Sequence, residues 1–592
     1  MSALSTLLRA GTRRPPAFLP VPTASVRGRL PPRITRVGNE LQVNGARRRF
    51  AGHNLYWLGL NDNVRDSTGA ATWPTRGVVD TAFDALLGSG GNLARVHTLG
   101  ISVGNSQRTS TPRTIMPGIG SFDEAAFRQA DMVVAAAAAK GVYLWVPTTD
   151  RWDYYHGGAL TLARMVLGSN ATIGDFYVNQ SVINAHKAYL TGLLNRVNSV
   201  TGVRWGADPT IAFWETGNEL WDAPRAWTVQ IAAHLRSLAP NALIGDGSGA
   251  SGLHVTAANV ALTDPNIDFV SGHFYDAQRM DSAWVRDDAA AAAAAGKVYM
   301  VGEYDWTNAS NNGSPAPPTT PARADFISTI ENTIHVSAAL PWALLVPAAG
   351  EHRDRYEMYV PAENSEQGAG YTDLVAHSAV MRASPQPLPY SDSFMRSDSL
   401  TLDRTTFFTA GANGGSSAIQ SNTLRLGLSG SNAGAGRVVV VPRTAATLNT
   451  HVDFDVAFST VTAGASLRVA LRAQTADATI DSADLYLAEL SLPGRSLSVS
   501  RRRSGRADVS MGASYTVPVI AANTAYRFEF VLAAASLEVR IWATTDPRPP
   551  AASATWTGLS ELAVKGALGI VWSGAAGSSA TATIDNMLLT DG

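Results

Sequence analysis

The residues of this chain best placed to move protons sit in short, strongly apolar contexts, above all Phe213-Trp214-Glu215-Thr216-Gly217-Asn218-Glu219-Leu220-Trp221. An apolar run from Ile211 reads as a buried strand, and the Gly-Asn-Glu after it marks where backbone leaves the core and side chains can meet a ligand. An amide beside a carboxyl at such a strand end fixes a hydroxyl with one group and transfers a proton with the other. Arg95 and His97, His273 and Tyr275, Glu303, and Trp342 stand in comparable places. If Glu219 and Glu303 face each other, the chemistry is glycosidic bond cleavage. At about 5 Å one carboxyl attacks the sugar while the other protonates the leaving oxygen, with retention of configuration.

The two carboxyls are expected to differ. Glu303, near Arg95 and the hydroxyl of Tyr275, should be held ionised as a nucleophile must be. Glu219, beside Trp214 and Trp221 and near the charge of Glu303, should hold a proton more readily, which suits a general acid that later acts as base. Asn218 could donate to the hydroxyl next to the reacting carbon. Trp145, Trp152, Trp306 and Trp342 offer flat faces on which a sugar ring can stack. Glu215 is a decoy for the role of Glu219, since a place inside the strand also directs it to the interior.

These positions need a frame that brings strand ends together. Ile34 to Val37 and Leu41 to Val43 around Gly38-Asn39 read as a hairpin able to cap a barrel floor. From Arg49 onward strands alternate with helices. The strands are Phe50 to Asn54, Asn92 to His97, Val142 to Val146, the run from Ile211, Ala242 to Gly245, Phe269 to His273, Val298 to Glu303 and Ala338 to Leu344. The helices are Val78 to Leu87, Phe122 to Lys140, Ser181 to Val200, Ala226 to Leu238, Trp284 to Ala295, Arg323 to His335 and Tyr371 to Met381. Eight strands with helices between most of them specify a (β/α)8 TIM barrel. No Gly-rich phosphate turn follows the first strand, which argues against a dinucleotide fold. After the proline-spaced 385–390, alternating strands such as Val452 to Phe458, Ser466 to Ala473, Tyr526 to Leu532 and Leu537 to Trp542 indicate an all-β sandwich of jelly-roll type. The expected division is a disordered leader 1–32, a catalytic barrel 33–384, a linker 385–390 and a sandwich 391–592.

At 592 residues the chain can bury at least two cores, and a net charge of −1 gives no electrostatic case for nucleic acid or an acidic membrane. The expected partner is an uncharged polysaccharide. With no cysteine there is no disulfide or thiolate chemistry, and the 11 histidines are too scattered for a metal motif, so neither metal nor cofactor is expected. No apolar run reaches the ~18 residues of a membrane span. Arg and Pro interrupt every apolar stretch before residue 33, so a conventional signal peptide is not seen.

Trp214 to Glu219, Gly272-His273-Phe274-Tyr275 and Val301-Gly302-Glu303-Tyr304 together resemble the clan A retaining glycoside hydrolases, and within them family 5 near its endo-β-1,4-mannanase branch. Asn92 to His97 and Asp150-Arg151-Trp152-Asp153-Tyr154 support the likeness, which spans about Arg36 to Arg382. The resemblance implies Glu219 as acid/base and Glu303 as nucleophile, with Arg95, His97, Trp152, Asn218, His273, Tyr275 and Trp342 binding substrate. Two stretches depart from it: Asp150-Arg151, where mannanases tend to carry asparagines, and Gly350 to Arg355. The C-terminal part is similar to concanavalin-like and laminin-G-like sandwiches, with Asp392-Ser393-Phe394, Arg396 and Asp398 as an opening strand and Ile584 to Leu588 as a closing one. Such domains bind carbohydrate or act as spacers; here Trp542, Trp556 and Trp572 fall in strand-like runs where packing is expected. The expected activity is endo-cleavage of a β-1,4-linked polysaccharide, mannan first, with a β-1,4-glucanase or exo-β-mannosidase as enzymatic alternatives and a carbohydrate-binding adhesin or phage tail protein as the non-enzymatic one. The expected setting is extracellular or virion-associated.

Overall fold

The computed structural model describes residues 30–592 apart from 105–112, 250–259, 276–281, 308–322, 351–355, 384–389, 393, 395–406, 413–414, 422, 429–434, 443–448, 460–464, 474–484, 493–494, 504–506, 534, 558, 560–566, 577–579 and 591–592. The expected leader up to residue 29, most of the linker, the loop 351–355 and the opening-strand residues 393, 396 and 398 therefore lie outside the described residues.

Barrel strands one to eight are Phe50–Asn54, Leu93–Arg95, Tyr143–Pro147, Ile211–Glu215, Leu243–Asp246, Phe269–Phe274, Val298–Tyr304 and Val336–Ala339. All pair in parallel in chain order, and strand eight closes on strand one through Ala338 opposite Phe50. Because side chains alternate along a strand, each strand sends one set inward and the other to the helices. The inward set at the amino ends, including Phe50, Leu93, Phe213 and Phe269, forms a cluster of its own with Ile34 and Leu41. Those last two come from the antiparallel hairpin Ile34–Val37 and Glu40–Val43, so the hairpin plugs the barrel floor.

Helices cover the outer set. Glu124–Lys140 shows the local logic: Asp123 caps it by accepting from the amides of Ala125 and Ala126, alanine fills its interior, and Gly141 ends it at φ 70°. The helix expected to reach Val200 stops at Asn195. Arg196 leaves helical geometry there and its guanidinium binds Asp131 and Glu124 on the neighbouring helix. The helix from Arg323 ends at Asn332, three residues before the expected His335. Strand eight also ends early, at Ala339 rather than Leu344. Pro341 has no N–H to continue the ladder, and Trp342 lies past the strand in an isolated bridge to Asp305.

Beyond Tyr390 the described residues form two antiparallel sheets. Their facing sides share one core, in which Phe454, Phe528 and Phe530 from one sheet meet Val438, Leu467, Tyr486 and Trp572 from the other. Trp556 and Trp572 are buried in that core, as the packing reading expects, whereas Trp542 is only half-buried and lies on the outward face opposite Arg527. The second sheet is apolar on its outer side too: Val439, Val441, Leu485, Leu487 and Val571 are buried there, with Ile334 of the barrel packed against them.

Inside the barrel Phe269 makes edge-on contacts with Trp145 (5.3 Å) and Phe213 (5.5 Å). Phe269→Ala is expected to cost about 3–5 kcal/mol, because packed strands cannot collapse onto the void; urea unfolding against the unmodified protein measures it.

Candidate active site

At the carboxyl ends of the strands one cation organises several acids. Arg95 ends strand two, wholly buried, with its guanidinium 5.2 Å from the ring centre of Trp145. It donates to Glu215 Oε2 (2.8 Å from Nη2), to Asn218 Oδ1 (2.8 Å) and to Glu303 Oε1 (2.5 Å). Glu215 accepts further from Trp145 Nε1 (3.1 Å) and Ser271 Oγ (3.0 Å). With its oxygens so occupied and only 1% exposure, Glu215 serves as the counter-charge for Arg95 and cannot reach a substrate. The decoy thus has a structural task.

Glu303 also accepts from the Tyr275 hydroxyl (2.5 Å) and lies 3.6 Å from both His97 Nε2 and His273 Nδ1. Burial alone would push its pKa up, but His273, His97 and Arg95 outweigh burial and hold the carboxyl far below the usual glutamate range. Burial likewise acts to lower the pKa of His273, and the charge of Glu303 and the hydrogen bond to Glu219 reverse that and raise it. Tyr275 is pushed well above its ordinary value by burial and by the charge of Glu303, so it remains a donor.

Glu219 faces this group from beyond strand four. Its Oε1 lies 2.8 Å from His273 Nδ1, and its Oε2 accepts from Trp152 Nε1 at 2.6 Å. Its backbone has φ 56°, a left-handed conformation that costs a side-chain-bearing residue about 1–2 kcal/mol. Neighbouring amides hold it there: Asn218 N–H donates to Thr149 O and Leu220 N–H to Gly247 O, each at 2.8 Å. The turn swings the carboxyl back over the barrel mouth. One oxygen of Glu219, one of Glu303 and a ring nitrogen of His273 all lie within 4.8 Å of one another. That spacing would also admit a cation, but the Arg95 guanidinium already places a fixed positive charge against Glu303.

The residues expected at this site are brought together, though not all equally close to the opening. Arg95, His97, Asn218, His273 and Glu303 are at most 5% exposed and line its base. Trp152 is 42% exposed, and Trp342 is half-buried with one face stacked on Tyr56 at 5.1 Å. Trp145 and Trp306 are wholly buried and offer no face to a sugar, and Trp214 points into the helical shell, leaving Trp152 and Trp221 as tryptophans near Glu219 with exposed surface. Sequence reasoning gave no role to Tyr56, Ser271 or His156. Asp150, which had no role of its own there, accepts from Asn218 Nδ2 at 3.1 Å.

Two outcomes follow from the charge arrangement. Glu215→Gln leaves Arg95 short of a buried counter-charge, so stability should fall by about 3–5 kcal/mol in thermal or chemical unfolding. Turnover should fall as well, although Glu215 never meets substrate. For Glu303 the folded pKa lies below the unfolded one, so its charge contributes stability that is present above ~4.3 and is lost as pH falls through the folded value. The stability difference between the native protein and Glu303→Gln should therefore be flat from neutral pH down to about pH 5 and shrink only at lower pH, as urea midpoints across that range would show.

Residues 34–313 match the family profile described as GH family 5 beta-mannosidase-like. Mannan endo-1,4-beta-mannosidase 3 of Oryza sativa subsp. japonica is 29% identical over 385 residues, covering 55% of this chain and 76% of that protein. Probable mannan endo-1,4-beta-mannosidase F of Aspergillus flavus is 27% identical over 307 residues, 45% of this chain and 59% of its own length, so the chain spans about three fifths of that relative. Among solved structures, the glycoside hydrolase family 5 mannosidase from Rhizomucor miehei aligns with a TM-score of 0.48 and 18% identity over 59% of this chain and 97% of that one. Over residues 34–313 the barrel is similar to the mannosidase-like domains of glycoside hydrolase family 5.

Proposed function

We propose that the protein is a retaining glycoside hydrolase that cleaves internal β-1,4 linkages of mannan by double displacement, with residues 33–384 as the catalytic unit and 391–592 as a separate module. The observation that carries this reading is the approach of Glu219 and Glu303 to within 4.8 Å between oxygens. Retaining enzymes hold their carboxyls about 5–5.5 Å apart, whereas inverting ones need about 6.5–9.5 Å to admit a water. Mannan is supported by the activities for which the rice and Aspergillus relatives are named.

In the first step a Glu303 oxygen attacks the anomeric carbon while Glu219 gives its proton to the departing glycosidic oxygen. The sugar is left esterified to Glu303. In the second, Glu219 takes a proton from a water, the water oxygen bonds to the anomeric carbon, and Glu303 departs as the carboxylate. Arg95, Tyr275 and His97 keep Glu303 ionised and in place, and His273 orients Glu219. Asn218 donates to the hydroxyl beside the reacting carbon, and the free face of Trp342 receives the sugar ring. A polymeric substrate places the reaction outside the cell; among the described residues no helix is long and apolar enough to cross a membrane.

Reducing-sugar release from mannan, β-glucan and xylan tests the reading. The native protein should be most active on mannan, giving short oligosaccharides with the β configuration at the new end. Glu303→Ala should abolish release, and Glu219→Ala should slow it by about 10²–10⁴-fold while sparing substrates whose leaving group needs no proton. Equal release by the native protein and Glu303→Ala, or an initial α product, would remove the mechanism.

A further inference from the structure

Asp150 is nine-tenths or more buried, carries no role in the mechanism above, and stands where two other acids, Glu215 and Glu303, already share one arginine. It follows strand three and is tied to Asn218 by backbone as well as side chain. The two residues form a parallel bridge, with Asn218 N–H donating to Thr149 O and Arg151 N–H to Asn218 O. Asp150 Oδ1 accepts from Asn218 Nδ2 (3.1 Å) and from the Trp152 amide (3.0 Å). Its other oxygen, Oδ2, is 3.7 Å from Nε2 of buried His156.

The protonation of this pair follows from what His156 does at its other nitrogen. Nδ1 lies 2.7 Å from the Gly157 carbonyl, which can only accept, so Nδ1 carries the hydrogen. Burial first, and His97 second, lower the His156 pKa to about 3, so the ring is neutral and Nε2 presents a lone pair to Asp150. An ionised Asp150 would set lone pair against lone pair, close to the charges of Glu219 after strand four and Glu303 on strand seven. Arg95 cannot relieve it, being committed to Glu215 and Glu303. Burial, reinforced by Glu219 and Glu303, lifts the Asp150 pKa well above the carboxylate range despite its two hydrogen-bond donors.

We propose that Asp150 is a positioning residue that works as a neutral acid: it directs its own hydrogen at His156 and uses the remaining oxygen to fix the amide of Asn218. With Oδ1 of Asn218 held by Arg95 and one Nδ2 hydrogen held by Asp150, the amide cannot flip, and its second hydrogen is aimed at the sugar hydroxyl next to the reacting carbon. An asparagine could do the same, its oxygen accepting from Asn218 and its NH₂ facing His156 without a charge. The inference rests on the glycosidase reading for its substrate and on the geometry alone for the orientation of Asn218.

The experiment compares Asp150→Asn and Asp150→Ala with the native protein on mannan across pH, together with crystal structures of both variants. Asp150→Ala should lose about 100-fold, mainly in kcat, as misplacement near a reacting centre does. Asp150→Asn should recover most of that loss with an unchanged acid limb in its pH profile. In the Asp150→Ala structure the Asn218 amide should turn away from Arg95, and in Asp150→Asn it should stay. An Asp150→Asn variant as impaired as Asp150→Ala, or with a displaced acid limb, would show that the charge matters and overturn the proposal. So would an undisturbed Asn218 in Asp150→Ala, whether or not any polymer is cleaved. Absence of sugar release by the native protein would instead count against the glycosidase reading.

Discussion

A guanidinium with no access to water, Arg95, is the constraint on which the rest of this barrel depends. Removing such an ion from solvent costs several kcal/mol, and the cost is offset only if its fork is filled with well-placed acceptors. Here the acceptors come from three strands: Glu303 on strand seven, Glu215 and Asn218 at and after strand four, and Asn54 on strand one at 3.5 Å. Satisfying one cation therefore fixes strand ends that are distant in sequence. The barrel's closure and the placement of its reactive groups are a single problem with a common solution.

The arrangement also sets the sign of the field. Arg95 balances one of the two carboxylates it touches, so the mouth keeps an excess of negative charge. Such a field resists an ionised Asp150 but favours an oxocarbenium-like transition state, in which positive charge grows on the sugar. Desolvation acts against every carboxylate present, and it loses at Glu303, where three donors converge, while winning at Asp150, where no cation is available. The same low-dielectric surroundings thus yield one acid that is firmly ionised and one that is not. Partner count decides between them.

Much of this was legible in the sequence because it is carried by period and position. Apolar runs of strand length, alanine-rich helices between them and polar residues just past each run were enough to name the barrel and list Arg95, Asn218, Glu219, His273, Tyr275 and Glu303. What was illegible depends on direction rather than on residue type. Trp145 and Trp306 look like stacking platforms in a one-dimensional reading, yet inward parity places the first under Arg95 and packing buries the second. Glu215 looks like a rival to Glu219 until the alternation of the strand puts it below the mouth. The left-handed turn at Glu219 left no trace at all, since Asn218 beside it is the residue type that usually accepts such a conformation. Strand eight looks longer in sequence than it is because Pro341 removes a backbone donor without interrupting the apolar run.

The sandwich bears on function through where it touches the barrel. Its second sheet is apolar on both faces, and an exposed row of Val439, Val441, Leu485, Leu487 and Val571 would leave a hydrophobic strip of the kind that drives association. Ile334, which packs there, lies in the connection leading into strand eight, at the amino end of the barrel; Glu219 and Glu303 project from the carboxyl ends. Contact at that face therefore anchors the module to the floor, away from the site. Trp556 and Trp572 are committed to its core, whereas Trp542 is half-buried on the outward face of its first sheet. That face presents Asp453, Asp455, Arg527, Glu529 and Arg540, joined in ion pairs with one another. Groups so paired must first be separated before they can bind hydroxyls, which offsets part of whatever such binding would contribute.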